Sequence, residues 1–450
     1  MNSENNVKEF NQCVEPLDWR YSATIVGLYK YFQYIGEEDI DYRVSDDTFE
    51  FNDEDITEER YLQFVEHYYG EDLQHKKIEN ILIGNDLSEE QLKYVNELMQ
   101  SNSILKKVFK KIKFDGTNKD EILALINKNR LDLILETFRN KKNMYANYAN
   151  TNQLFNESQD RCRLLGYYVD GGRKSKAISY NFDTKTFVAQ DQKYFDFIPF
   201  AFIGDFESFF INDSFSLQQL IKTNIHFEHY VNMAKDELEG KGIKARNILI
   251  QSIHEISDFL DYDVEIIYKN RDTVYFETMY LRKESIQVIK RLENDQAFNK
   301  SLKVKEEYMD LQKSVFQSIL NLTRTDQLIE ILLKEHYPYI VSQLIKLNVL
   351  ICKGGETMNQ SMKNAYGCAK KVVEKIPENK IESYRQKLIS SVVFKDYDRC
   401  CQILLQMSNY CDIPFNFAFS LFENFEDNKD IIYTFINALT KNNSLGQEEK

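Results

Sequence analysis

The distribution of hydrophobic periodicity along the chain is the feature that most constrains its fold. Strand-like stretches are confined to residues 1–282, where they lie between segments with helical spacing. From residue 283 to 450, apolar residues recur every three or four positions, and short breaks separate the segments. The sequence therefore predicts an α+β protein, in which a mixed N-terminal domain with antiparallel hairpins (1–282) precedes an all-α helical bundle (283–450).

Several local patterns within the first domain specify particular elements. Residues 39–52 alternate around Ser45–Asp47 and predict a hairpin, and residues 262–281 predict another with its turn at Asn270–Asp272. The apolar runs LLGYYV, AISYNF and YFDFIPFAFIG (194–204) predict strands. Residues 119–139 predict a single helix, and Thr57 is predicted to cap the start of another.

Charge is distributed unevenly along the chain. The formal net charge is -14, which by itself disfavours a polyanionic partner. Residues 1–100 carry 8 Lys+Arg against 24 Asp+Glu, whereas residues 101–190 carry 17 against 9. A basic middle after an acidic start indicates a polarised molecule in which one surface meets an anion, although ordinary solvated helix faces give the same pattern.

The cysteines and the apolar runs bear on the compartment. None of the seven cysteines forms a CxxC pair or has ligand-like spacing, so they predict reduced core residues rather than disulfides or a metal site. No apolar run approaches the ~20 residues that a bilayer requires. These features predict a cytoplasmic protein with no membrane partner and no cofactor.

Residues 138–176 combine basic, amide and tyrosine side chains in one polar stretch. Amide groups can pair bidentately with adenine, tyrosine rings can stack on bases, and cations neutralise phosphates. A Gly171–Gly172 turn would present the cations that follow it. The predicted DNA-binding residues are Lys141, Lys142, Tyr145, Asn147, Tyr148, Asn150, Asn152, Gln153, Arg173, Lys174 and Lys176.

Each of these assignments has a structural alternative. An asparagine-rich stretch is also typical of a loop with Asx turns, and cations at a hairpin tip also keep proteins soluble. Residues 104–116 predict a basic amphipathic helix whose lysines are secondary phosphate contacts: Lys106, Lys107, Lys110 and Lys111. A solvated helix face explains that pattern as well.

Five stretches resemble a known protein family. They are LDWRYSATIVGLYKYF, RYLQFVEHYYGEDL, FDFIPFAFIGDFESFFIND, SYRQKLISSVVFKDYDRCCQILLQMSNYCDIP and DIIYTFINAL, which together cover both ends and the centre of the chain. The chain resembles the large subunit of type I-B CRISPR Cascade-type surveillance complexes, in the subfamily named for paired CxxC motifs. The family's second cysteine pair would fall near residues 161–163, where only Cys162 is present, so no bound zinc is predicted.

The resemblance implies a non-enzymatic function. A large subunit of this kind contacts the short motif beside the target in duplex DNA, helps to open the duplex, stabilises the opened strands and helps to recruit a helicase-nuclease. Guide RNA in the multi-subunit complex reads the sequence, and backbone and small subunits are the further partners. The C-terminal helices are expected to resemble the small subunit. The alternative is a protein-interaction scaffold that does not bind DNA.

Overall fold

The computed structural model describes most of the chain. The described residues are 10–36, 41–84, 88–157, 162–166, 191–237, 249, 253, 262–292, 295–298, 301–304, 307–353 and 359–440. The chain divides into two compact units. Unit 1 comprises Met1–Ser252 and Val264–Tyr280, and unit 2 comprises Ile253–Asp263 and Leu281–Lys450.

Unit 1 mixes helices with two small sheets. Its helices are α1 Trp19–Ile35, α2 Glu58–Tyr69, α3 Gln74–Ile83, α4 Glu89–Met99, α5 Ser103–Phe109, α6 Lys119–Lys128, α7 Arg130–Asn140, α8 Tyr145–Tyr148 and α9 Leu217–Glu237, with 3₁₀ helices Asp53–Asp55, Gly70–Asp72 and Lys193–Phe200. Its strands are β1 Gln12–Val14, β2 Arg43–Val44, β3 Phe49–Phe51, β4 Glu207–Asn212, β5 Val264–Asn270 and β6 Phe276–Leu281. The sheet orders are β1-β3-β2 and β4-β5-β6.

Unit 2 is mainly helical. Its helices are α10 Lys283–Lys290, α11 Leu311–Asn321, α12 Asp326–Lys334, α13 Pro338–Lys353, α14 Gln360–Lys375, α15 Glu378–Val393, α16 Tyr397–Cys411, α17 Ala418–Glu423 and α18 Lys429–Ala438, with a 3₁₀ helix Asp295–Phe298. Strands β7 Ser301–Val304 and β8 Glu307–Asp310 pair antiparallel.

Helix α1 packs in the centre of unit 1. Asp18 caps its start by accepting a hydrogen bond from the Arg20 backbone N–H at 2.8 Å. Apolar side chains around most of the helix circumference are buried, which indicates a core helix rather than a surface one. The Lys30 ammonium inside this core donates to the Phe200 carbonyl at 2.8 Å and pairs with Glu228 at 2.9 Å. Burial lowers the pKa of Lys30 despite that pair.

The contact between α1 and the 3₁₀ helix Lys193–Phe200 depends on a glycine. A Cβ atom on Gly27 would lie 2.2 Å from the Phe197 carbonyl oxygen and 2.9 Å from the Phe197 Cβ. The two backbones can approach this closely only because position 27 has no side chain. Aromatic rings then pack around the contact; Tyr31 and Phe197, for example, have centroids 5.3 Å apart.

The predicted α+β class is confirmed, together with several local elements. Strands β2 and β3 form the hairpin predicted over 39–52, with Val44 opposite Phe49. Strands β5 and β6 flank the predicted turn at Asn270–Asp272. Thr57 caps α2 by accepting from the Arg60 N–H at 3.2 Å.

Three local predictions are wrong. Most of the predicted strand 194–204 is the 3₁₀ helix Lys193–Phe200, which includes Pro199 and whose apolar side chains are buried on all sides, so its pattern carries no strand period. The predicted helix 119–139 breaks at Asn129 between α6 and α7. The β7–β8 hairpin interrupts a region expected to be entirely helical. The predicted strand AISYNF lies outside the described residues.

The Gly27 contact leads to a stability prediction. Gly27→Ala should lower the free energy of unfolding of unit 1 by about 1–3 kcal/mol, because the added methyl group meets backbone that cannot move aside. Trp19 is the only tryptophan and is buried in unit 1, so its fluorescence during urea unfolding measures this change. Gly36→Ala is the control, since Gly36 ends the same helix and a Cβ added there would have nothing within 4 Å. Equal effects of both substitutions would contradict the interpretation.

Candidate nucleic-acid interface

The two tyrosines that were predicted to bind DNA, Tyr145 and Tyr148, face the core of unit 1. Tyr145 is 0% exposed and its hydroxyl donates to Asp196 Oδ1 at 2.7 Å. Tyr148 is 3% exposed and its hydroxyl lies 2.9 Å from Ser208 Oγ. Burial raises the pKa of Tyr148 to about 12. Neither ring is accessible for stacking on a base.

The neighbouring amide side chains are also buried. Asn147 Oδ1 accepts from the Lys269 ammonium at 3.3 Å. Asn150 Oδ1 accepts from the Asn152 N–H at 3.2 Å, which is an Asx turn. Gln153 is 1% exposed. The expectation that this segment is exposed is therefore wrong for five predicted residues: Tyr145, Asn147, Tyr148, Asn150 and Gln153.

The remaining residues of that prediction fall into three groups. Asn152 and Lys142 are exposed. Lys141 is half-buried and donates to the Asp72 carbonyl at 2.7 Å, and its burial lowers the pKa of its ammonium group. The cations after the predicted glycine turn, Arg173, Lys174 and Lys176, lie outside the described residues.

The buried segment is held by the carboxylate of Asp196. Arg163 Nη1 lies 3.0 Å from Asp196 Oδ1 and 3.2 Å from Oδ2, and the Phe155 N–H donates to Oδ2 at 3.2 Å. The Arg163 guanidinium also donates to the carbonyls of Gln153 and Asn156. Burial raises the pKa of Asp196 to about 6, against the opposing effect of Arg163. Sequence reasoning missed this cluster because its partners are far apart along the chain.

The second predicted surface, formed by lysines, is exposed. Lys106, Lys107, Lys110 and Lys111 all reach solvent, while Leu105 and Phe109 of the same segment are buried. The helix is shorter than predicted: α5 ends at Phe109, and Lys110 has a φ of 50°. Residues 101–113 contain five lysines and no carboxylate. We call Lys106, Lys107, Lys110, Lys111 and Lys113 the lysine turn.

Unit 2 carries a basic surface with aromatic rings that sequence reasoning missed. Residues 360–393 contain six lysines, none of them buried, against three glutamates, while Arg385 in the same stretch is buried. Lys380, Tyr384 and Lys387 occur at helical spacing on α15, so they share one face, and Ile381 and Leu388 are buried on the other. The helical spacing of these three residues is the signal in the sequence from which this surface could have been predicted.

Contacts between helices extend this surface. Lys380 Nζ lies 4.8 Å from the ring centroid of Tyr410 and donates to its hydroxyl at 3.0 Å. Within α15, Lys387 Nζ lies 5.9 Å from the ring of Tyr384. Lys375 donates to the Cys411 carbonyl at 2.8 Å, beside Tyr410. We call Lys375, Lys380, Tyr384, Lys387 and Tyr410 the lysine-tyrosine surface.

The described residues form neither a metal centre nor a membrane span. They include no group of three or more His, Cys, Asp or Glu side chains placed to hold a metal ion. None of the helices in this part of the chain is both long and apolar enough to cross a bilayer.

Comparison with known families identifies the class of protein. A family model described as CRISPR-associated protein Csx8 matches residues 10–439, which is nearly the whole chain. The protein is thus CRISPR-associated. It belongs to the Csx8 family. No curated protein and no solved structure matches the chain significantly.

The Asp196 cluster leads to a prediction that depends on pH. Arg163→Met should destabilise unit 1 by about 3–5 kcal/mol at pH 7.5, because a buried carboxylate then lacks its counter-charge. The loss should be smaller at pH 5. The pKa of Asp196 in the folded protein is about 6, above its usual 3.8, and it rises further without Arg163. Folding of the variant is therefore coupled to protonation of Asp196, which a lower pH favours.

Urea unfolding followed by Trp19 fluorescence at both pH values measures this effect. Lys193→Met is the matched control, since Lys193 pairs with Asp53 at 2.6 Å while 41% of its side chain is exposed. That substitution should lower the free energy of unfolding by less than about 1 kcal/mol. An Arg163→Met loss of the same size at pH 5 and pH 7.5 would show that Asp196 does not titrate as described.

Proposed function

We propose that the chain is a non-enzymatic, DNA-binding large subunit of a type I-B CRISPR surveillance complex. In this function it contacts a short motif in duplex DNA beside the target, stabilises the opened strands and helps to recruit a helicase-nuclease. Guide RNA supplies sequence specificity, so the protein itself needs mainly phosphate contacts and a short duplex contact. Membership of a CRISPR-associated family and the five resembling stretches support this proposal.

The lysine turn is the observation that carries the DNA-binding proposal. Its five ammonium groups are exposed within 13 residues that contain no carboxylate, so a phosphate backbone there meets positive charge that is not neutralised locally. Electrostatic screening in physiological salt has a length of about 8 Å. A phosphate bound at the lysine turn is therefore attracted by the nearby lysines more strongly than it is repelled by the net charge of -14.

Replacing the lysine turn should weaken duplex binding in a salt-dependent way. The variant Lys106→Gln, Lys107→Gln, Lys110→Gln, Lys111→Gln should lower affinity most at low salt. It should also reduce the slope of log K against log salt by about 0.9 for each phosphate that the variant no longer neutralises. Fluorescence anisotropy with labelled duplex DNA across a salt series measures both quantities.

A scattered set of exposed lysines provides the control for charge alone. The variant Lys93→Gln, Lys128→Gln, Lys313→Gln, Lys346→Gln removes the same charge from four separate helices. It should change the slope by less than the lysine-turn variant. If the two variants behave alike, duplex binding does not use the lysine turn.

The lysine-tyrosine surface supports a contact with the opened strands. Single-stranded nucleic acid is held by cations on its phosphates and by aromatic rings on its bases. Tyr384 and Tyr410 lie beside lysines on adjacent helices, and Tyr410 is 53% exposed. A duplex hides its base faces, so these rings favour a single strand.

Removing the two rings should weaken the binding of single-stranded DNA but not the binding of duplex DNA. Tyr384→Ala with Tyr410→Ala should weaken binding of a single-stranded oligonucleotide about tenfold or more, because each stacked base contributes about 1–3 kcal/mol. Duplex binding should not change. Tyr94→Ala with Tyr339→Ala is the control, since both of these tyrosines are 46% exposed and lie outside the surface. Equal losses for single strand and duplex would contradict a stacking role.

The alternative function is a protein-interaction scaffold without DNA contacts. The acidic first 100 residues favour it, because they repel phosphates and suit a basic protein partner. The salt series decides between the two functions: a scaffold shows no salt-dependent affinity for either form of DNA.

A further inference from the structure

Unit 1 contains a cavity that neither lysine surface uses. Its volume is about 170 Å³, which is room for a small organic group. It lies beside the Asp196 cluster. Its lining comprises four carboxylates (Asp53, Glu58, Glu157, Asp196), four aromatic rings (Tyr61, Phe155, Tyr194, Phe197), and Ile56, Thr57 and Lys193.

The rings form a fixed wall. Tyr61 is 1% exposed and packs edge-to-face against Phe155 at 5.2 Å and against Phe197 at 5.1 Å. Phe155 has a φ of 61°, which is costly for a residue with a side chain, and its N–H is bonded to Asp196. The backbone of Phe155 is therefore fixed beside the cavity, and its ring packs against Tyr61.

The charges of the lining leave a negative excess at the rim. Arg163 compensates Asp196, and Lys193 lies 2.6 Å from Asp53 but 3.9 Å from Glu157. Glu157 is 79% exposed, and no described cation lies within ion-pairing distance of Glu58, which is also exposed. Two carboxylates at the rim above a wall of rings exclude an anion and favour a cation.

One cation in the lining of the cavity already contacts both an aromatic ring and a carboxylate. Lys193 Nζ lies 5.4 Å from the Tyr194 ring centroid while it pairs with Asp53. A guanidinium group suits the remaining space better than an ammonium group, because it is planar, weakly hydrated and able to donate to two carboxylates while lying on a ring. The acidic first 100 residues would attract a basic protein surface that carries such a group.

We propose that this cavity receives an arginine side chain of a partner protein. The guanidinium group lies against the rings of Phe155 and Tyr194 and donates to Glu58 and Glu157. The proposal does not depend on DNA binding, since none of the lining residues belongs to the lysine turn or the lysine-tyrosine surface.

Saturation-transfer NMR with the full chain tests the proposal. The probe is Nα-acetyl-arginine methylamide, and the comparison probes are the matching citrulline compound, which is neutral with nearly the same shape, and the matching lysine compound. Saturation should pass to the side-chain methylenes of the arginine probe, with a Kd of about 1 mM, and should be weaker for lysine and absent for citrulline. Equal transfer to citrulline would overturn recognition by charge, and equal transfer to lysine would overturn recognition of guanidinium.

Paired substitutions locate the binding site. Glu58→Gln with Glu157→Gln should weaken binding of the arginine probe at least fivefold while moving the Trp19 unfolding midpoint only slightly, because both side chains are exposed and Glu58 contributes only to the first turn of α2. Glu89→Gln with Glu90→Gln removes the same charge from the exposed first turn of α4 and should leave binding unchanged. Equal losses in the two variants, or no saturation of the arginine probe by the unsubstituted protein, would overturn the proposal. Neither result would affect the DNA experiments.

Discussion

The carboxylate of Asp196 is the interaction on which much of unit 1 depends. It lies on the 3₁₀ helix that packs against α1, and it accepts hydrogen bonds from Tyr145, Phe155 and Arg163. A buried carboxylate is costly unless donors surround it, so these segments must assemble together with it. Gly27 allows the 3₁₀ helix to approach α1 closely enough for that assembly.

This arrangement explains which parts of the fold the sequence could predict. Local signals were sufficient for the β2–β3 hairpin and for the Thr57 cap, because each depends on residues within a few positions of one another. The segment around Tyr145 could not be assigned in this way. Its tyrosines and amides have the composition of a nucleic-acid surface, but their partners Asp196, Ser208 and Lys269 lie 51 to 122 residues further along the chain. Burial of a polar segment is decided by such distant partners.

The same reasoning separates the two basic surfaces. The lysine turn could be found from the sequence, because five lysines without a carboxylate form a local pattern. The lysine-tyrosine surface depends on Tyr410 of α16 meeting Lys380 of α15, a contact that periodicity within one helix does not contain. Three of the five residues of that surface, Lys380, Tyr384 and Lys387, were nevertheless detectable in the sequence by their spacing of four and three residues.

The uneven distribution of charge along the chain would affect the order in which such a subunit binds its partners. A net charge of -14 opposes the long-range attraction of DNA, so under the proposed function the lysines would act only at separations near the screening length of about 8 Å. A subunit with these properties gains DNA affinity mainly after other components have brought the DNA close. The acidic N-terminal segment would have the opposite effect on basic proteins, since both it and the net charge of the chain would attract them. Assembly with protein partners would therefore precede the DNA contact, and the proposed binding of a partner's arginine in the cavity would belong to the first step.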